Sequence, residues 1–149
     1  MVPSELERAR VRRLLQNEVD ERALGSLRTE ISPLVLHLYA MQYNWDDGFG
    51  APTAILANER CDLGTGLLLY FLAGGAEHLA HNPQHGRPDQ QLFVSGLYDR
   101  VAHRRFATEL IAYGHEWSRV ALHKLKKLRP DVPAVFLQRS PGSDVDPGG

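Results

Sequence analysis

The sequence predicts an all-α protein, a single compact multi-helix domain of about six helices over residues 1–138 with a central apolar helix. Three observations predict this class. Apolar residues recur every three or four positions between residues 106 and 128, which is the period of an α-helix. The 14 residues from Leu63 to Ala76 are apolar on every side, as in a helix covered by its neighbours. No segment alternates apolar and polar residues as a half-buried strand does.

The first half of the chain carries clear helix-start signals. Ser4 and Glu7 have the spacing of a capping box and predict a helix after residue 4. A short helix or turn is expected around residues 20–30. Ser32 followed by Pro33 predicts the start of the next helix, with serine as its N-cap. Pro52 is expected to open a short helix through residue 57, and Asp62 to cap the apolar helix.

The second half is expected to hold a loop, two helices and a tail. Gly64 and Gly66 are expected to let another helix approach the apolar helix, and Gly74–Gly75 to end it. Residues 81–88 are rich in turn formers, and residues 92–101 suit a helix. The longest predicted helix runs over six turns along one apolar stripe: Phe106, Leu110, Tyr113, Trp117, Ala121, Leu125 and Leu128. Residues 139–149 are expected to form a disordered tail.

Composition predicts a cytoplasmic protein without a membrane partner. The chain has 149 residues, 43% of them hydrophobic, which is enough for one domain with a core. Its one cysteine, Cys61, cannot form an internal disulfide. The N-terminus lacks the apolar segment of a secretion signal, and the 14-residue apolar run is too short to span a bilayer.

Charge is divided unevenly along the chain. Residues 16–80 hold nine acidic and three basic residues, a balance of −6, whereas residues 100–129 hold eight basic and two acidic residues, a balance of +6. One interpretation is that the two halves attract each other or simply solvate the surface. The other is that the acidic half presents a face to a basic partner and that charge steers their encounter.

The stretch YNWDDGF, residues 43–49, invites a reading as a metal or acid–base site. Two adjacent carboxylates are too few for calcium, which takes six to eight oxygens, and neighbouring side chains point apart. A structural corner is the simpler hypothesis. Trp45 and Phe49 then anchor it in the core, Gly48 supplies a backbone angle that other residues avoid, and one aspartate caps the following helix or turn. The second aspartate is left to serve a partner.

The remaining reactive residue types also have structural interpretations. Glu77, His78, His81 and His85 form a histidine-rich stretch, EHLAHNPQH, which matches no standard zinc signature and suits a solvated loop. Cys61 stands at a helix entry, where a buried thiol is expected in preference to a reactive thiolate. The basic stretch HKLKKLRP suits a solvated helix end, so no direct nucleic-acid contact is expected.

The run SPLVLHLYAMQYNWDDGFGAPTAILANERCDLGTGLLLYFLAGG resembles a bacterial family of domains of unknown function. Members carry YNWDDGF followed by a CDLGTxLLLxxLAxG-like segment, and the resemblance covers about residues 32–80. The sequence departs from the pattern in having Gly66 inside the apolar helix, and in its long extension after residue 90. The resemblance implies an association with toxin–immunity neighbourhoods, including contact-dependent and type VI secretion loci.

Together these observations predict an immunity protein that binds and occludes a cognate secreted toxin, with a nuclease as the partner type to test first. The chain is not expected to be an enzyme, and no catalytic residue, metal ligand or cofactor is predicted. The residues predicted to bind the partner are Glu18, Asp20, Glu21, Asp46, Asp47 and Glu59. Two alternatives are a helical protein-binding adaptor and a small metal-dependent hydrolase that would use Glu77, His78, His81 and Asp46.

Overall fold

A computed structural model describes residues 1–81 and 86–146. Within these ranges the chain forms eight α-helices and two 3-10 turns, and no strand. The helices are α1 (Glu5–Gln16), α2 (Glu21–Thr29), α3 (Pro33–Gln42), α4 (Gly50–Ala57), α5 (Leu63–Leu72), α6 (Gly75–His81), α7 (Pro88–Ala102) and α8 (Arg119–Leu128). The 3-10 turns are Trp45–Asp47 and Ala134–Phe136. The all-α class and the single compact domain are confirmed, and the described part holds two helices more than the six expected.

Local capping explains where the first helices begin. Glu7 N donates to Ser4 Oγ over 3.1 Å, and Ser4 N donates to Glu7 Oε1 over 2.9 Å, so the predicted capping box is formed. Ser32 caps α3 by accepting a hydrogen bond from Val35 N. The stretch around residues 20–30, expected as a short helix or a turn, is a helix. Asp20 caps it by accepting a hydrogen bond from Ala23 N over 2.8 Å.

The core lies where α3, α5 and α7 pack together. Residues 34–40 of α3 and residues 63–70 of α5 are all buried. Helix α5 packs on α3, α6 and α7, while α1 packs on α3 and α2 on α4. The chain turns after α5 at Gly74, whose φ of 97° lies in the left-handed region that glycine tolerates. Helices α3 and α5 therefore each contribute a continuous buried stretch to the core.

The predicted long helix over residues 106–128 is wrong in its first half. Only Arg119–Leu128 is helical, and residues 106–117 run as extended chain with isolated parallel bridges from Asp62 to Thr108 and from Ile111 to Ser143. The apolar period is present in the sequence, but other contacts satisfy the backbone of this segment. Thus Ala107 N donates to the Cys61 carbonyl, and Ala112 N to the Ser143 carbonyl.

The two glycines of α5 admit this extended segment, and not the neighbouring helix that was expected. A methyl group at Gly64 would overlap the backbone carbonyl of Ile111, and one at Gly66 would overlap the ring of Phe106. Glycine at both positions therefore lets the 106–111 segment lie against the start of α5. This close approach explains a residue type that otherwise weakens a helix.

The described part of the predicted tail is packed against the domain. Ser140 is buried, and its backbone N donates to the Tyr113 carbonyl over 2.9 Å. The amino group of Met1 donates to the Asp144 carbonyl, and Asp146 N donates back to the Met1 carbonyl. The structure therefore differs from the expected disorder over residues 139–146, because backbone hydrogen bonds join this stretch to both the N-terminus and the 110–113 segment. Residues 147–149 lie outside the described ranges.

None of the described helices has the length and apolar character needed to cross a bilayer.

Candidate functional site

Helices α2 and α4 lie side by side and run in the same direction. The start of α4 at Gly50 lies against the Leu24 side chain. The residue after α4, Asn58, donates its side-chain amide to the carbonyls of Leu27 and Glu30, each over 2.9 Å. The N-terminal ends of both helices therefore lie at the same end of the pair.

Five of the six predicted partner-binding residues stand at this end, which we name the acidic end: Glu18, Asp20, Glu21, Asp46 and Asp47. All five are exposed. The sixth residue, Glu59, lies beyond the C-terminal end of α4, so about 12 Å of helix separates it from the others. Glu59 Oε1 lies 3.8 Å from Arg60 Nη1, and both side chains are exposed.

Some carboxylates at the acidic end have a structural role in α2. Asp20 accepts the capping hydrogen bond from Ala23 N, and Glu21 lies 3.8 Å from Arg28 in an exposed ion pair. Negative charge at a helix N-terminus is favoured by the helix dipole. Glu18 and Asp20 also line a cleft of about 700 Å³ between α1 and α2, together with Arg10, Arg13 and Arg22. The carboxylates on the α2 side of the acidic end therefore lie near basic as well as acidic side chains.

Asp46 and Asp47 differ, because no described residue donates a hydrogen bond to either carboxylate. The predicted capping role of one aspartate is wrong. Asn44 caps the 3-10 turn by accepting from Asp46 N over 3.0 Å, and Phe49 precedes α4 without a side-chain cap. Both carboxylates are exposed and available to a partner.

The rest of YNWDDGF forms the predicted corner. Gly48 has a φ of 89°, and its carbonyl accepts a hydrogen bond from the Tyr43 hydroxyl over 2.7 Å. Trp45 and Phe49 are partly buried, and their rings lie 5.9 Å apart. Burial, with smaller contributions from the charges of Tyr39 and Asp47, raises the pKa of Tyr43 to about 12. Tyr43 therefore stays a neutral hydrogen-bond donor, and its bond to the Gly48 carbonyl spans the turn that carries the two aspartates.

The histidine-rich stretch does not assemble a metal site in the part of the chain that the structure describes. His78 Nδ1 lies 2.7 Å from the Tyr70 hydroxyl, and burial lowers the His78 pKa. Glu77, His78 and His81 belong to α6, whereas Asp46 belongs to the corner before α4. Across residues 1–81 and 86–146 no three His, Cys, Asp or Glu side chains are grouped so that they could hold a metal ion. His85 lies outside the described residues.

Cys61 is fully buried, as expected from its position at the helix entry. Burial raises the pKa of its thiol to about 12, so at neutral pH the sulfur is protonated. A protonated and inaccessible thiol is a poor nucleophile.

Two buried polar side chains around α5 were not recognised from the sequence. His37 Nδ1 lies 2.9 Å from Thr65 Oγ1 inside the core, and burial lowers the His37 pKa to about 4. Asp62 was predicted only as a cap, and it does accept a hydrogen bond from Gly64 N. It also accepts hydrogen bonds from Thr108 Oγ1, Leu110 N and Ile111 N. The signal for His37 was its place inside an apolar helix, whereas no local signal marks the partners of Asp62.

Comparison with protein families finds that residues 31–102 match the model of a domain of unknown function, DUF4274. The matched region runs from α3 to the end of α7 and contains the corner with Asp46 and Asp47. The predicted resemblance to a family of domains of unknown function is thereby confirmed. No curated protein and no solved structure matches the chain.

Proposed function

We propose that this chain, which carries the DUF4274 domain over residues 31–102, is an immunity protein that binds and neutralises a secreted bacterial toxin. The observation that carries the proposal is the acidic end. Five exposed carboxylates stand there, and the two on the corner have no hydrogen-bond donor among the described residues. Such a surface suits a basic partner, because opposite charge speeds encounter and fixes orientation.

The resemblance of the sequence to a family associated with toxin–immunity neighbourhoods also supports an immunity function. A nuclease toxin fits the charge, since a nuclease must be basic where it grips phosphates. In this proposal the acidic end covers that basic cleft in the cytoplasm of the producing cell. Helix α5 then serves as the central apolar helix, to which α3, with the corner that follows it, is packed.

The test is protection of growing cells. The product of the adjacent gene is expressed with the wild-type protein, with Asp46→Lys/Asp47→Lys, or with Glu59→Lys/Glu116→Lys. The two variants carry the same change in net charge, and Glu59 and Glu116 are exposed residues outside the acidic end. We expect the wild type and the second variant to protect, and the first variant to protect poorly.

Failure of the wild type to protect against the adjacent gene's product, or to bind it, would overturn the immunity function. Equal protection by both variants would overturn the assignment to the acidic end. Metal analysis and activity assays of the purified protein test the alternative hydrolase, which requires a bound ion and turnover.

A further inference from the structure

An apolar groove runs between α4 and α7 beside the corner, and none of the residues that line it belongs to the five carboxylates of the acidic end. Its volume is about 490 Å³. Phe49 and Phe93 give it an aromatic lining, Thr53 and Leu56 of α4 form one wall, and Asp89 and Arg100 mark its two ends. Leu92 on the rim is 79% exposed, the largest fraction among the exposed large hydrophobic side chains of the described chain. We name this surface the α7 groove.

Gly96 is not required by packing within the chain. No atom lies within 4 Å of the position that a Cβ would take there, although glycine inside a helix is unfavourable compared with alanine. Its absence of a side chain leaves a gap in the rim of the α7 groove, one turn after Leu92. A neighbouring surface can therefore approach the helix backbone closely at this point.

The exposed face of α7 is complementary to itself. Asp89 lies in its first turn and Arg100 in its last turn, so the two ends of the groove carry opposite charge. If a second α7 lies antiparallel in one register, Asp89 faces Arg100 of the second copy. In the same register the exposed Leu92 and the partly buried Phe93 face the turn around Gly96 of that copy, whereas Leu97 stays buried in the core of its own chain. A large ring then meets the gap, and each acid meets a base.

The basic end of the groove is already held in place. Arg100 donates from Nη1 to the Leu56 carbonyl and from Nε to the Arg105 carbonyl, and its guanidinium lies 4.5 Å from the centre of the Phe106 ring. Asp89 Oδ1 accepts a hydrogen bond from Gln90 N and lies 3.6 Å from Arg87 Nε, and the Asp89 side chain is exposed. A fixed cation facing an exposed carboxylate favours a defined register.

We propose that two copies of this chain associate through the α7 groove, with their α7 helices antiparallel about a two-fold axis. This contact is isologous, because each copy contributes the same patch. Helix α7 is about 22 Å long, and a strip one or two helices wide covers roughly 400 Å² per copy. Stable interfaces bury about 800 Å² per partner, so the dimer is expected to be weak, with a dissociation constant in the micromolar range.

Sedimentation equilibrium of the full chain at micromolar to submillimolar concentration measures this dimer. Leu92→Glu should raise the dissociation constant at least tenfold. The matched control is Leu128→Glu, because Leu128 is 65% exposed but lies on α8, outside the groove. Circular dichroism checks that both variants are folded. A wild-type protein that stays monomeric throughout, or equal weakening by the two variants, would overturn the proposal.

A cross-link tests the register. Gly96→Cys places a thiol at the gap, and the native Cys61 is buried and does not compete for reagent. A short bis-maleimide should join two copies of this variant into a covalent dimer, whereas Ala121→Cys, an exposed position on α8, should stay monomeric. Absence of the Gly96→Cys cross-link in a dimeric sample would place the interface elsewhere. None of these outcomes bears on the acidic end, which is tested separately.

Discussion

His37 lies in an environment unlike that of a surface histidine. It is buried in α3 beside Thr65, and burial outweighs the opposing charge of Asp62 to lower its pKa to about 4. An unfolded histidine has a pKa of about 6.5. Above that pH both states are neutral, and His37 contributes no pH dependence. As the pH falls further, the unfolded state binds the proton first, so the free energy of unfolding decreases until about pH 4.

This predicts a loss of about 2 to 3 kcal/mol from His37 alone between pH 7.5 and pH 4.5. His37→Asn can keep a polar contact to Thr65 and cannot titrate. Urea unfolding at both pH values should therefore show a smaller loss in the variant than in the wild type. If the two proteins lose the same free energy of unfolding between these pH values, the pKa of His37 is not lowered in the core.

Asp62 and Ser32 show which residues can be interpreted from the sequence. Ser32 caps α3 by accepting a hydrogen bond from Val35 N, three residues away, and the Ser-Pro pair makes that role visible locally. Asp62 accepts hydrogen bonds from residues 46 to 49 positions further along the chain. No local pattern encodes partners at that distance, so only its capping bond to Gly64 could be predicted.

At the scale of elements, the same long-range contacts explain why the predicted 106–128 helix is interrupted. The apolar period from Phe106 to Trp117 fits a helix as well as it fits a chain that places the same side chains against α5. Asp62 supplies acceptors for the backbone of the extended form, and Gly64 makes room for it. The second half of the predicted helix is helical as α8, which Ser118 caps and Pro130 follows.

Two glycines in helices should respond oppositely to alanine. Gly64→Ala should lower the free energy of unfolding by at least about 2 kcal/mol, because the new methyl group overlaps the Ile111 carbonyl. Gly25→Ala in α2 is the control: no atom lies within 4 Å of the added group, so it should stabilise by about 0.5 to 1 kcal/mol. Chemical denaturation measures both. Stabilisation by Gly64→Ala would mean that the extended segment does not lie against α5.

At the scale of the whole molecule, the acidic end consists of two parts with different surroundings. At the corner no side chain among the described residues forms an ion pair with Asp46 or Asp47, while Glu18 and Asp20 share a cleft with arginines. The acidic half of the sequence is therefore not one uniform acidic face, and Glu59 lies apart from it. The count of charged residues predicted that residues 16–80 are acidic, but the parallel packing of α2 and α4 determines which of these carboxylates lie at the same end.

The association rate with the cognate toxin tests the central claim most directly. It should be measured by stopped-flow mixing at about 25 and about 250 mM salt for the wild type, for Asp46→Lys/Asp47→Lys and for Glu59→Lys/Glu116→Lys. We expect wild-type association to slow about tenfold or more at the higher salt concentration, because screening removes electrostatic steering. The corner variant should associate slowly at both concentrations, and the control should stay close to the wild type. Equal rates for the two variants at low salt would contradict a partner site at the acidic end.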